Sequence, residues 1–171
     1  MRNARISAAA VPARIAARNS ACSRAVCAYP RSSAGRANCP KGAVRDQVSH
    51  SCDWLPTLTE LAGVKLQRKD IDGLSLTNVI KNEDALTPHK VLHWQIGRGN
   101  NPRWAVREGD WKLLGNPQDT SNKAPLTTKD KLFLTNLKEN VNEMVNLAEK
   151  HPDVTQRLKK LHDEWAAKNV K

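Results

Sequence analysis

The chain has 171 residues, of which 39% are apolar, enough for one domain with a modest core. No apolar run approaches the roughly 18 residues that a bilayer-spanning helix requires, so the sequence offers no transmembrane segment. The net charge of +11 is uneven, because residues 1–40 hold seven Arg with no Lys and no acidic residue.

That amino-terminal stretch, rich in Arg, Ala and Ser, admits several readings. It could serve as a basic binding module against nucleic acid or an anionic surface, as an organellar transit peptide, or as a poor secretory signal. The Arg residues are scattered without aromatic partners and there is no apolar run typical of a signal, so nucleic acid is a weak expectation. Cys22, Cys27 and Cys39 fall here and Cys52 lies further on; their spacings match no zinc pattern.

From residue 41 onward the pattern becomes periodic. His50 and Ser51 precede Asp53-Trp54-Leu55-Pro56, after which Leu58, Leu61 and Ala62 recur at helical spacing until Gly63 supplies a stop. His50 reads as an amino-terminal cap or packing residue rather than a ligand. Asp70, Asp72 and Gly73 place two carboxylates together, but calcium takes six to eight oxygens. A turn before a short helix at Leu76–Ile80 is the expectation.

Val91–Ile96 predicts a strand, followed by the Gly97–Pro102 loop. Arg103–Arg107 and Trp111–Leu114 alternate across Glu108-Gly109-Asp110 and predict a hairpin. Lys131–Asn136 predicts a further strand, and Asn142–Leu147 a helical turn. The last element is a helix opening at His151 and Pro152, with Val154, Leu158, Leu161 and Trp165 as its apolar stripe. That stripe is expected to pack on the strands. The Trp residues are expected in the core, with Trp94 and Trp104 also able to stack on a sugar.

Four words recur in a characteristic order: VSHSCDWLPTLTELAGV, DGLSL, WAVREGDWKLL and LFLTNLKENVNEMVNLAEKHP. Taken together they resemble the carboxy-terminal end of sulfatases of the arylsulfatase type. The resemblance implies an α/β protein, here an α+β fragment. Lys41–Ala85 would be the end of the large domain, and Leu86–Lys171 a small carboxy-terminal antiparallel sheet with a packed helix, able to hold structure by itself. Residues 1–40 would be unstructured.

The family hydrolyses sulfate esters with a formylglycine nucleophile, made from Cys or Ser in a C/S-x-P-x-R motif, and a divalent cation, usually calcium. This sequence has no such motif, and no residue matches the metal ligands. The resemblance therefore implies no catalytic residue, metal or cofactor in this chain, which is expected to be inactive alone. His93, Arg98 and Arg103, in or beside the glycine-rich loop, are the candidate contacts to a sulfated small molecule or sugar. Family members are usually secreted, periplasmic or lysosomal, while the visible amino terminus carries no clear export signal.

The codons behind residues 1–40 also permit an out-of-frame reading. Shifted by one nucleotide, Ala25–Pro30 can become Gly-Gly-Val-Arg-Val-Pro and Gly35–Pro40 can become Trp-Ala-Gly-Lys-Leu-Pro, a line that resembles the family segment before VSH. Asn19 then falls where the family has its active-site lysine. This frameshift reading treats residues 1–40 as a translation out of register with the chain from Lys41 onward.

Overall fold

The computed structural model describes residues 43–68, 70–97, 99, 101–118, 126 and 130–169. Residues 1–40, with their frameshift and nucleic-acid readings, lie outside the described residues, as does the candidate Arg98.

A single 3-10 turn, Ser51–Asp53, leads into helix α1, Trp54–Leu61. His50 occupies the position before the turn, and its backbone N–H donates to the Asp53 carboxylate at 2.6 Å. Pro56 is harmless in the first turn, where its missing N–H would have no helical partner. Gly63 ends the helix in the left-handed region, with φ of 68°. Helix α2, Thr77–Lys81, follows after an irregular stretch.

That stretch corrects one expectation. Asp70–Gly73 forms no turn; the chain passes the 3-10 turn as irregular backbone, and a Cβ on Gly73 would collide with the Cys52 carbonyl. Gly73 is therefore needed for close backbone approach rather than for turn geometry.

Strands β1 (Val91–Ile96), β2 (Arg103–Glu108), β3 (Trp111–Gly115) and β4 (Leu132–Asn136) form one antiparallel sheet in sequence order. Helix α3, Pro152–Asn169, covers one face. The architecture is mixed α/β, with an antiparallel sheet and packed helices, as the sequence predicts.

Register explains the core. His93, Val106, Leu113 and Leu134 lie opposite one another across the four strands, so the period of two places them in one row on one face. Val106, Leu113 and Leu134 are fully buried there beneath Leu158 of α3, with Trp104 beside them. The indole of Trp104 lies over Gly115, its partner on β3, where a side-chain methyl would fall inside the ring. The opposite face buries Ala105, Leu114 and Phe133, with Trp94 and Leu126 packed against them.

The predicted helical turn at Asn142–Leu147 is absent. This segment instead runs as an irregular strap along the free edge of β4. The Leu134 N–H donates to the Asn146 side-chain oxygen at 3.1 Å, the Asn146 amide donates to the Leu132 carbonyl at 3.1 Å, and the Leu147 N–H donates to the Leu134 carbonyl at 2.8 Å. An edge strand needs its backbone groups satisfied or shielded, and that demand outweighs the weak helical spacing of the strap. The strap also carries Glu143, which adopts φ of 52° and is buried against Lys112.

In α3 the buried positions include Thr155, Leu158 and His162, with Val154, Leu161 and Trp165 only half-buried. The predicted stripe packs on the sheet, but its centre is rotated to include two polar residues. Among the described residues, no helix is long and apolar enough to cross a membrane.

Candidate functional site

The sheet does not bring His93 and Arg103 together. His93 points to the α3 face, where its ring stacks on Trp165 with planes 2° apart and centroids 5.1 Å apart. Burial, and next the neighbouring His162, push its pKa down to about 4. Arg103 is an odd-numbered β2 residue and faces the other way; it is half-buried, and one guanidinium nitrogen donates to the Gln118 side-chain oxygen at 2.9 Å. It sits just after the Gly97–Pro102 loop, as the sequence anticipates.

A second constellation centres on Asp53, which is fully buried. One carboxylate oxygen accepts from the His50 N–H, and the other from the Leu74 N–H at 2.9 Å and from Nε2 of His89 at 2.8 Å. Thr57, also fully buried, donates its hydroxyl to the Asp53 carbonyl at 2.5 Å and accepts the Leu76 N–H at 2.9 Å. The 3-10 turn is thereby fastened to the segment before α2 and to the approach to β1.

His50 extends the same tie to the sheet. The indole N–H of Trp94 on β1 donates to His50 Nε2 at 3.1 Å. An indole N–H only donates, so Nε2 carries the lone pair and the ring proton of a neutral imidazole sits on Nδ1, 3.1 Å from the Cys52 sulfur.

An exposed thiol beside an imidazole and a carboxylate has the parts of a nucleophilic site. The electrostatics oppose that use. Burial, then the charge of Asp53, raise the Cys52 pKa, whereas a nucleophilic cysteine needs it lowered. The imidazole lone pair, moreover, is spent on Trp94. The cluster is a structural tie between α1 and the sheet.

No group of three or more His, Cys, Asp or Glu able to hold a metal occurs among the described residues. Asp53 and Glu143 are engaged in buried pairs, and Asp70 forms an exposed pair with Arg68 at 2.7 Å.

Sequence reasoning missed the roles of Asp53, His89 and His162. Asp53 and His89 are 36 residues apart, and no periodicity links them. His162 had a signal: it lies four residues beyond Leu158 and so on the buried face.

No protein-family model matches the chain, and no curated protein matches it. Solved structures do. A protein solved in complex with its substrate D-glucosamine-2-N,6-O-disulfate is 24% identical over 67% of this chain and 23% of its own, with a TM-score of 0.50. A candidate sulfatase from Bacteroides thetaiotaomicron is 21% identical over 68% of this chain and 24% of its own, with a TM-score of 0.53. A 2-O glycosaminoglycan sulfatase is 20% identical over 68% of this chain and 24% of its own, with a TM-score of 0.50. The chain thus spans about a quarter of the length of these structures. The four-stranded antiparallel sheet, α3 and the helices before them have the fold of the carboxy-terminal part of sulfatases.

Proposed function

We propose that this chain is the carboxy-terminal portion of a sulfatase, a sulfuric ester hydrolase, and that it is inactive without the portion that supplies the nucleophile and cation. The observation that carries this reading is agreement between the sequence words and the fold. The words in the sequence resemble the end of that family, and the fold is similar to solved sulfatase structures over about a quarter of their length. The sequence carries no C/S-x-P-x-R motif, and Cys52 is disfavoured as a nucleophile. Loss of even one member of a catalytic unit costs orders of magnitude in rate.

The outer face of α1 supports the same reading. Leu55 and Leu58 are 51% and 56% exposed, and Leu74, whose N–H is held by Asp53, is 44% exposed. Apolar residues at helical spacing on an uncovered face fit a helix that packs on a sheet contributed by the rest of the fold. For substrate we propose a sulfated sugar or sulfated small molecule, in keeping with the disulfated glucosamine bound by one structural neighbour. Arg103, beside the glycine-rich loop, is the proposed anion contact, together with Arg98. His93, stacked inside the α3 interface, is better placed to support the sheet than to meet a substrate.

The test compares two proteins on a panel of aryl and sugar sulfates with calcium: the chain as given, and a longer one in which the upstream nucleotide sequence is read with its frame restored. The chain alone is expected to show no turnover, and the longer protein chelator-sensitive turnover. Turnover by the chain alone, or a folded longer protein inactive across the panel, would overturn the reading.

A further inference from the structure

Helix α3 and the sheet exchange aromatic side chains. β1 sends His93 against Trp165 of the helix, and the helix sends His162 against Trp104 of β2, with centroids 4.0 Å apart and planes at 8° in the second stack. The two imidazoles are neighbours, 6.4 Å apart. The Nδ1 atom of each is buried and finds no hydrogen-bond partner among the described residues. A neutral ring keeps its proton on Nε2 and leaves only a lone pair at that atom. Protonation places a buried N–H where no acceptor waits, and a second protonation sets two like charges side by side.

From this geometry we propose that the reciprocal His93–Trp165 and His162–Trp104 stacks form an acid-released latch. It holds α3 on the sheet while both imidazoles are neutral and lets the helix go as they take up protons.

The other charged groups at this contact do not offset the change. Glu108 on β2 is paired with Arg157 of α3, and Lys159 is paired with Asp163 along the helix. Asp163 favours a charged His162 and Lys159 opposes it, while burial, the largest influence, lowers the His162 pKa. His151 at the start of α3 lies against Trp111. Lys112 of β3 belongs to the opposite face, paired with Glu143. The indole faces attract a cation, which works against release. Burial outweighs this at His93, whose pKa falls to about 4.

Both rings take up protons more readily with the helix undocked, so docking is complete above about pH 6.5 and weakens as pH falls toward the folded-state values. Each titrating ring makes docking about tenfold less favourable per pH unit, and the two together about a hundredfold. Most of this window lies above the usual carboxylate range of about 3.9 to 4.3, so release of α3 precedes general acid unfolding.

Amide hydrogen exchange on the full chain from pH 7 to 4.5, corrected for intrinsic rates, tests the proposal. Protection of α3 between Leu158 and Trp165 is expected to fall at least tenfold per pH unit below 6.5. The doubly substituted chain H93F/H162F, whose rings stack but cannot titrate, is expected to lose that slope. Should the variant not fold, imidazole nitrogen shifts in the native chain decide: both rings are expected to titrate below the ordinary imidazole range and in step with the loss of α3 protection. A flat protection profile, an unchanged slope in the variant, or either ring titrating at its ordinary value while α3 stays protected would overturn the latch.

Discussion

His89 and Asp53 are joined at 2.8 Å with side chains 8% and 0% exposed, which fastens the approach to β1 onto the turn that starts α1. His89 lies beyond the boundary at Ala85 that the sequence resemblance suggests. The smaller sheet region thus leans on the stretch before it, through this pair and through the Trp94–His50 hydrogen bond. A chain beginning at residue 86 would leave His89 and Trp94 without those partners, and should melt at a lower temperature than the sheet does within the full chain.

The same pair gives a sharper prediction by substitution. Removing one member of a buried pair costs about 3 to 5 kcal/mol, because the other is left buried and unsatisfied. Asp53→Ala also strips acceptors from the His50 and Leu74 amides, so it should sit at the upper end of that range. Against a typical net stability of about 5 to 15 kcal/mol, that loss brings the chain close to unfolding. His89→Gln retains a donor for the carboxylate and should cost clearly less. Urea midpoints of the two variants decide; equal and small shifts would show that the pair is no anchor.

Lys112 and Glu143 offer a contrasting case. Their side chains are 4% and 6% exposed, and the ammonium reaches both carboxylate oxygens, at 3.0 and 3.1 Å. The pair also pins the strap at a residue held in the left-handed region, which is unfavourable for Glu. Lys112→Met or Glu143→Gln alone should destabilise by about 3 kcal/mol or more. The double substitution should recover part of that loss, since neither charge is then stranded. A double-mutant cycle in urea measures the coupling, and strictly additive losses would contradict the assignment.

How far the fold could be read from sequence depended on how local each signal was. Val91–Ile96 has the bounds predicted for it, and the hairpin, β4 and the start of α3 fall within a residue of their expected places. Apolar periodicity marks each of them, and at β1, the hairpin and α3 a nearby Gly or Pro marks an end as well. The strap at Asn142–Leu147 failed because its conformation is set by the edge of β4 and by Lys112, neither adjacent in sequence. His162 was passed over because a polar residue is not counted into an apolar stripe, although Trp104 gives it a flat partner. The candidate contacts were proposed from proximity to one loop; strand alternation then sends His93 and Arg103 to opposite faces.

Gly115 is a packing requirement that composition does not reveal. Its missing side chain is what lets the Trp104 indole lie across β3 and meet His162. Gly115→Ala should drive the indole out of that stack and cost about 1 to 3 kcal/mol, as overpacking in a core does. Near-UV circular dichroism should lose part of its tryptophan signal in step with a lower melting temperature. Native values of both would mean that the sheet opens around the methyl group at no cost.

Under the proposed function, the bare face of α1 separates the behaviour of this chain from that of a longer protein. Leu55 and Leu58 are more than half exposed, so replacing both with Gln removes little burial and should change the stability of this chain by no more than about 0.5 kcal/mol per site. The same replacement shrinks the apolar patch, and sedimentation velocity should show less self-association at equal concentration. In a longer protein whose upstream sheet covers α1, those two leucines would be buried, and each substitution should cost about 1.5 to 3 kcal/mol. The comparison turns on the difference between the two hosts: a large loss of stability in the short chain, or none in the long one, would show that this face is not where the rest of the fold packs.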